Sequence, residues 1–198
     1  MKVLLAFVVC WSLYAQIEFE SNGLRYKTLT KNGLTIMFTP LPSHVKEYSV
    51  LQVAISNGSE VSWTVKPEDF RYERTDGTAT NASPALSVVN SLLTKASRHD
   101  VIKLVTAYEA GVYANTRMQS TNGYEQRRQS ALAEVNSARI KAAAAASAIA
   151  LVPTRLKPGE STDGAVFFPN NGKAFGPGKL FVHAAGEDFV FSSEGEPK

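Results

Sequence analysis

The chain has 198 residues, of which 44% are apolar and 20% are charged, the balance of a globular protein rather than of a disordered chain. This length fits one domain, or one domain that carries an insertion. The formal net charge is only +3, so the overall charge does not favour a nucleic acid or an anionic membrane as partner.

The N-terminus, MKVLLAFVVCWSLYA, has the pattern of a secretory signal peptide. Lys2 is followed by an apolar run and then by small or polar residues that end at Ala15. The run is shorter than the roughly 20 apolar residues that span a bilayer, which argues against a membrane span. We therefore expect cleavage before Gln16 and a location in the bacterial periplasm or outside the cell. The alternative is a buried N-terminal strand.

Cys10 is the only cysteine, and its fate decides which thiol chemistry is open to the mature chain. Lipidation at Cys10 is the alternative to cleavage, but Val9 stands where lipoprotein signals carry a small residue. Cleavage after Ala15 leaves no cysteine, which excludes disulfides, a thiol nucleophile and a thiolate metal site. The lack of cysteine also favours a bacterial envelope, so the sequons that begin at Asn57 and Asn81 are interpreted as ordinary turns.

Between residues 23 and 80 the sequence has the short alternating runs and the turn residues of β-structure. Asn32 and Gly33 separate two such runs, which is the strongest short-range signal for a hairpin. Asp76 and Gly77 mark another turn. Turns at intervals of about ten residues are typical of a sandwich or a barrel.

Two runs in this segment predict strands by their alternation. Val61, Trp63 and Val65 share one face of the first run, with polar residues between them. Phe70 and Tyr72 share one face of the second run. A period of two with one apolar face predicts a strand that is buried on one side.

From Asn81 the apolar period changes to three and four residues, which predicts helices. Ser83 is the expected N-cap of the first helix, and Pro84 is its expected first residue. Two apolar stripes follow on successive helices: Leu86, Val89, Leu92 and Leu93, then Val101, Leu104, Val105, Tyr108 and Val112.

A third and longer helix is predicted from Tyr124 to Leu151, ending before Pro153. Its second half is almost all alanine, the residue with the highest helix propensity, and we expect this half to pack closely against the earlier helices. The alternative is a helix that binds a membrane surface or a partner. Its basic residues are interleaved with glutamates and predict a solvated face rather than a nucleic-acid site: Arg127, Arg128, Arg139 and Lys141.

Strand signals return after the helices. Pro158 and Gly159 form a turn before the apolar run DGAVFFP. Two further runs, Leu180–His183 and Phe189–Phe191, flank Gly186 and predict a pair of strands.

These elements predict an α+β fold, an immunoglobulin-like antiparallel β-sandwich interrupted by a long helical insertion. We assign residues 1–15 to the signal peptide, residues 16–80 and 154–198 to the sandwich, and residues 81–153 to the insertion. The two β segments together have about 110 residues, close to the roughly 100 of an immunoglobulin-type sandwich. Neither segment alone has enough strands to cover a core.

Two stretches of the β segments resemble immunoglobulin-like (telokin-like) domains of bacterial exported proteins. The stretch VLQVAISNGSEVSWTVKPEDFRYERTDG is similar to their central strand pair and the aromatic hairpin that follows it. The stretch LKPGESTDGAVFFP is similar to their late strand that completes the sandwich. The resemblance implies this fold and an exported location, and many such domains have no assigned activity. The helical insertion departs from the pattern.

The sequence identifies no catalytic, cofactor-binding or metal-ligating residue. His44, His99 and His183 are too far apart in sequence to form a local metal motif. The adjacent Glu68 and Asp69 are expected to point apart, whereas an acid–base pair must converge. The motifs of serine hydrolases, zinc peptidases, P-loop proteins and dinucleotide-binding proteins do not occur, and the stretch FGPGK is interpreted as a turn.

These observations favour an exported, non-enzymatic binding or structural module of the cell envelope that needs no cofactor. Its sandwich edges can accept a strand from a protein partner. Two alternatives stay open: an accessory subunit of an envelope assembly that contacts partners through its helices, and a hydrolase or metal-binding protein with a cleft between sandwich and helices. An exposed apolar stripe on the helices favours the former. A pocket that gathers His99 or His183 with carboxylates favours the latter.

Overall fold

The computed structural model describes four stretches of the chain: residues 16–21, 23–42, 44–114 and 137–192. The signal peptide predicted at the N-terminus, with Cys10, lies outside the described residues. So do Arg127 and Arg128 of the predicted third helix, and the side chains of residues 107 and 110–114.

Eleven β-strands lie within the described residues: β1 (Ile17–Ser21), β2 (Leu24–Lys31), β3 (Leu34–Pro40), β4 (Tyr48–Asn57), β5 (Trp63–Val65), β6 (Phe70–Arg74), β7 (Ala79–Asn81), β8 (Thr154–Leu156), β9 (Ser161–Pro169), β10 (Gly178–Ala184) and β11 (Glu187–Ser192). A five-stranded sheet has the order β1-β2-β3-β4-β9, and a four-stranded sheet has the order β11-β10-β6-β7. The short strands β5 and β8 form a third sheet. Neighbouring strands within each sheet run antiparallel.

Two hairpins are closed by two-residue turns whose residues have positive φ. Asn32 and Gly33 have φ of 48° and 76° between β2 and β3. Ala185 and Gly186 have φ of 54° and 72° between β10 and β11. Glycine adopts positive φ without a steric cost and asparagine tolerates it, so the hairpin predicted from Asn-Gly is confirmed.

The strands before the helices pair with the strands after them. β4 lies beside β9, from Tyr48 opposite Pro169 to Ser56 opposite Ser161. β6 lies beside β10, and β5 lies beside β8. The two β segments of the chain are therefore interleaved and do not form separate units.

The five-stranded and four-stranded sheets share one hydrophobic core. The rings of Phe38 and Phe191 meet edge to face across it, with centroids 5.0 Å apart. Burial of each large apolar side chain contributes about 1.5–3 kcal/mol relative to exposure, so this core stabilises the pairing of the two segments. Both sheets supply fully buried side chains, which include Leu34, Ile36, Leu51, Ile55, Phe168, Phe70, Phe189 and Phe191.

Of the two alternating runs predicted as half-buried strands, one is confirmed in full. Phe70 and Tyr72 are buried on one face of β6. In the other run Val65 is buried, but Val61 is exposed and precedes β5. The amide of Asn57 donates to the carbonyl of Val61 at 2.7 Å, which holds that residue in the turn.

Three helices lie within the described residues, all between β7 and β8: α1 (Ala85–Lys95), α2 (Arg98–Ala114) and α3 (Ala138–Ile149). They pack on the outer face of the five-stranded sheet, where Val50 and Phe167 join a second core with them. The hydroxyl of Tyr108 in α2 donates to Asp163 of β9 at 2.5 Å. Five of the seven alanines of α3 are buried, and four of these pack in the second core, as predicted. The chain is thus an α+β protein with antiparallel sheets.

The single long helix predicted up to Leu151 is wrong. Ser137 has an extended backbone, with φ −85° and ψ 127°, and α3 begins after it and ends at Ile149. The Ser137 side chain makes no capping hydrogen bond, and the backbone carbonyl of Ser137 accepts the N–H of Lys141 in the first turn of α3. Leu151 leaves the helix because its N–H donates to the carbonyl of Ala165 in β9.

The first helix buries only part of the predicted face, since Leu92 is buried and Val89 packs against the second core. Val88 and Leu92 are fully buried, whereas Leu86 is 70% exposed and Leu93 is 40% exposed. Spacing alone supports both stripes, because each contains apolar residues three or four positions apart. The contact with the sheet and with α3 decides which stripe is buried.

Both ends of the helical segment are fixed to the same strand. Ser83 donates its backbone N–H to Phe167 of β9 at 2.8 Å, and Leu151 donates to Ala165 at 2.9 Å. Ser83 therefore forms a β-bridge and is not the N-cap that the sequence predicted, and α1 begins at Ala85. The positions of β9 at which the chain leaves the sheet and returns to it, Phe167 and Ala165, are thus only two residues apart.

Gly164 lies where the returning chain crosses β9, and a Cβ atom there would be 2.7 Å from the backbone of Leu151. We expect Gly164→Ala to lower the free energy of unfolding by about 1–3 kcal/mol, because backbone on both sides resists displacement. Urea denaturation followed by circular dichroism measures the change. Gly176→Ala is the control, since a Cβ atom there meets nothing within 4 Å. Equal midpoints for the two variants would contradict the close approach.

Candidate functional site

The edges of the two larger sheets are the places where another chain can pair, because an edge strand offers unpaired backbone groups. The five-stranded sheet ends at β1 and β9, and the four-stranded sheet ends at β7 and β11. The surroundings of these four strands differ.

Two of the four edges offer little to a partner. The outer edge of β9 carries the N–H groups of Ser83 and Leu151. β7 has only three residues, and the chain turns away at Ala82, whose N–H donates to Phe70 of β6 at 3.0 Å. A covered strand and a very short strand are both common ways of closing a sheet edge.

Side chains close the edge of β11. Lys27 donates from Nζ to the carbonyl of Ser192, and Lys31 donates from Nζ to the carbonyl of Asp188 at 2.5 Å. The side-chain oxygen of Gln16 accepts the N–H of Ser192 at 3.1 Å. The backbone groups near both ends of this edge are therefore occupied.

The edge of β1 is open. Its five residues pair with β2 and with no other strand of the described residues. Ile17 is 62% exposed and Phe19 is 40% exposed, and Glu18 and Glu20 are exposed as well. Side chains alternate along a strand, so the two apolar residues lie on one face and the two glutamates on the other.

The hairpin geometry indicates which residues of β1 direct their backbone groups outward. Two residues separate β1 from β2, and Ser21 lies opposite Leu24. Residues that flank such a turn exchange both hydrogen bonds, and every second residue then faces away from the partner strand. The outward residues of β1 are therefore Glu18 and Glu20. The β10–β11 hairpin has the same turn length and follows this rule, since the carbonyl of Asp188 points away from β10 to accept a lysine.

The apolar face of β1 rests on a buried aromatic ring. Phe19 stacks on Tyr26 of β2 with ring centroids 5.2 Å apart and an interplanar angle of 11°. Tyr26 packs in turn with Met37 and Ala54 of the neighbouring strands. Burial raises the pKa of Tyr26 to about 12. An apolar side chain from an added strand would extend this surface.

The two carboxylates on the other face differ in their partners. Glu18 Oε1 lies 2.9 Å from Lys27 Nζ, and the hydrogen bond from Lys27 lowers the pKa of Glu18. Gln16 Nε2 donates to the same oxygen at 2.5 Å. Arg25 lies opposite Glu20 in the strand register, but Glu20 makes no hydrogen bond or ion pair within the described residues. Glu20 is therefore the carboxylate of this edge that is available to a partner.

The histidines are not brought together. His183 Nδ1 lies 2.7 Å from Asp188 Oδ1 on the exposed surface of the β10–β11 hairpin. His44 and His99 are exposed on other parts of the chain. The described residues contain no group of three or more His, Cys, Asp or Glu side chains that could hold a metal ion.

The adjacent carboxylates Glu68 and Asp69 differ in their surroundings. Asp69 Oδ2 accepts the backbone N–H of Lys66 at 2.9 Å, and burial raises the pKa of Asp69. The side chain of Glu68 is exposed. The first residues of FGPGK form a loop before β10, as predicted, and the hydroxyl of Tyr72 donates to the carbonyl of Gly176 in it.

The two sequons have different roles. Asn57 is buried, and its amide nitrogen donates to the carbonyls of Val61 and Leu156 at 2.7 and 3.1 Å. Its side-chain oxygen accepts the N–H of Ser59 at 3.0 Å. Asn57 thus links the turn after β4 to β8 and is more than an ordinary turn residue. Asn81 is exposed at the end of β7.

Each of the three helices also carries exposed apolar side chains. Leu86 and Leu93 are seven residues apart and lie on one face of α1. Ile102 of α2 and Ile140 of α3 are also exposed. Such side chains are the feature expected of a helical surface that contacts a partner.

Comparisons with protein-family models, with curated proteins and with solved structures found no match to this chain. None of the helices among the described residues has the length and apolar character that crossing a membrane requires.

The predicted elements began at Gly23 and did not include β1. A signal for this strand is present, because Ile17 and Phe19 alternate with Glu18 and Glu20. A run of five residues next to a predicted cleavage site gives a weak pattern. That the strand lies at an open edge follows only from the order of the sheet.

We expect Lys27→Met to raise the pKa of Glu18 toward the ordinary value of a glutamate, because the ammonium group that hydrogen-bonds its carboxylate is removed. NMR titration of the side-chain carboxyl carbon of Glu18 measures this change in pKa. The lowered folded-state pKa stabilises the protein above the unfolded-state value, and this contribution is lost as the pH falls through the folded-state value. The free energy of unfolding of the variant should therefore lack this part of its dependence on pH.

Asp76 is the internal control for this titration, since its pKa is lowered by hydrogen bonds from Thr78 and not by Lys27. Its titration should be the same in both proteins. A Glu18 titration that Lys27→Met leaves unchanged would contradict the contact between the two side chains.

Proposed function

We propose that this protein is an exported, non-enzymatic binding module of the bacterial envelope, which accepts an extended segment of a protein partner at the edge of β1. The observation that carries the proposal is the contrast among the sheet edges. Among the described residues, the ends of the helical segment cover the edge of β9, side chains occupy backbone groups near both ends of the β11 edge, β7 has three residues, and β1 is open and exposed. In strand addition, main-chain hydrogen bonds give the affinity, and side chains along the edge give the selectivity.

The body that carries β1 is an immunoglobulin-like β-sandwich with a helical insertion. Three observations support this part of the proposal. The strands before and after the helices pair with each other, two antiparallel sheets share one core, and both ends of the helical segment meet β9. Export rests on the signal-peptide pattern of residues 1–15. A mature chain without cysteine depends on its core rather than on disulfides.

A second candidate function is that of an accessory subunit which contacts its partner through the helices. The exposure of Leu86 and Leu93 on α1 favours it, because helices usually turn such residues inward. The edge of β1 is the stronger candidate, since it offers outward backbone groups at Glu18 and Glu20 together with exposed apolar side chains.

The proposal is tested with Glu20→Pro, which removes an outward N–H while leaving the hydrogen bonds between β1 and β2. Proline is tolerated on an edge strand where the N–H faces outward. The protein and its variant are purified by affinity from the envelope fraction of the native host, and partners are quantified by mass spectrometry. We expect Glu20→Pro to recover about tenfold less partner, the effect of losing one hydrogen bond of roughly 1.4 kcal/mol.

Val190→Pro is the matched control, because Val190 is exposed and occupies an outward position on the edge of β11. It should recover the partner as the unaltered protein does. Urea denaturation of each variant separates loss of binding from loss of folding. If Glu20→Pro has no effect while Leu86→Lys abolishes recovery, strand addition is overturned in favour of the helical surface. Recovery of the protein alone would overturn both candidate functions.

A further inference from the structure

We infer that the segment which adds to β1 alternates apolar with basic residues and belongs to a different protein rather than to a second copy of this chain. This inference rests on the proposed strand addition and specifies its ligand. It follows from the side chains that flank the outward backbone groups of β1.

An added strand would place its side chains alternately on the two faces of the sheet. On one face its neighbours are Ile17 and Phe19, with the ring of Tyr26 behind Phe19. Apolar side chains fit this face because they cover exposed apolar surface. On the other face its neighbours are Glu18 and Glu20, and residues directly opposite them lie about 5 Å away, where opposite charges stabilise a strand pair.

The basic residues nearby do not cancel this preference. Arg25 and Lys27 belong to β2, which lies about 4.8 Å further from an added strand than β1 does. Lys27 is also engaged with Glu18 and with the carbonyl of Ser192. Glu20 therefore presents to an incoming segment an exposed carboxylate that makes no hydrogen bond or ion pair within the described residues.

A second copy of β1 is a poor partner for the same reason. In an antiparallel pair, the positions that exchange hydrogen bonds between the two copies are the outward ones, Glu18 and Glu20. When the two antiparallel strands are aligned at their centres, each glutamate of one copy therefore lies opposite a glutamate of the other. In a parallel pair without an offset, each glutamate lies beside the same glutamate of the other copy. Like charges directly opposite one another destabilise strand pairing. Charges on an edge strand are a common means of preventing self-association.

Three capped hexapeptides test the inference by fluorescence anisotropy with the exported protein. The first has the sequence Arg-Val-Arg-Val-Arg-Val, and the second has glutamate in place of each arginine. The third contains the residues of the first, with three arginines followed by three valines. We expect the first peptide to bind about tenfold more tightly than either of the others, the effect of two cross-strand charge pairs together with correct alternation. Its advantage over the second should shrink as the salt rises from about 0.05 M to about 0.5 M.

Glu20→Lys should remove the preference for the first peptide over the second, because it reverses the charge that an added strand meets. Glu60→Lys is the matched control, since Glu60 is exposed in the turn before β5 and away from this edge. Its peptide affinities should equal those of the unaltered protein. Analytical ultracentrifugation of the protein at about 100 μM, a concentration at which weak pairs associate, should give a monomer.

Equal binding of the first two peptides would overturn the charge preference, and equal binding of the first and third would show attraction without strand alternation. A dimer that Glu20→Pro dissociates would overturn the exclusion of a second copy. These failures differ from failure of the proposed function. If Glu20→Pro still lowers partner recovery while the peptides show no preference, strand addition stands and only the chemistry of its ligand is wrong.

Discussion

The antiparallel pairing of β4 with β9 is the interaction on which the rest of the structure depends. Residues 48–56 align with residues 161–169, and nearly all of them are buried because both faces of this strand pair are covered. One face lines the core shared by the two larger sheets, and the other lines the core beneath the helices. The pair joins strands that precede the helices to strands that follow them. Neither hydrophobic core can form until both parts of the chain are in place.

The same pairing determines which sheet edges stay available. Because β9 is the last strand of its sheet, its outer edge receives both ends of the helical segment, through Ser83 and Leu151. At the opposite end of the sheet, β2 directs Lys27 and Lys31 onto the edge of β11. Each of these contacts covers an edge of β9 or β11. Within the described residues none of them covers the backbone edge of β1, and so its outward backbone groups, its apolar face and Glu20 remain exposed together.

Local patterns predicted the elements well where one turn or one alternation decides the structure. The hairpin at Asn32 follows from the φ that the turn requires, and the buried face of Phe70 and Tyr72 follows from the period of two. Prediction failed where tertiary contacts choose between local options of similar energy. α1 buries Val88 rather than Leu86 because the sheet selects one of two apolar stripes. Ser83 joins a bridge with Phe167 although its position also suits a helix cap.

The sequence by itself determined the alternation of β and α segments, the close packing of the alanine-rich helix and the α+β class, because these depend on residue periods and propensities that act over a few positions. It also contained the charges and apolar residues of the candidate site. Only the tertiary structure decided that those residues form an open edge. The exposure of a strand depends on which other strands and side chains reach it, and those partners lie more than a hundred residues away in the chain. No local pattern records such distant contacts.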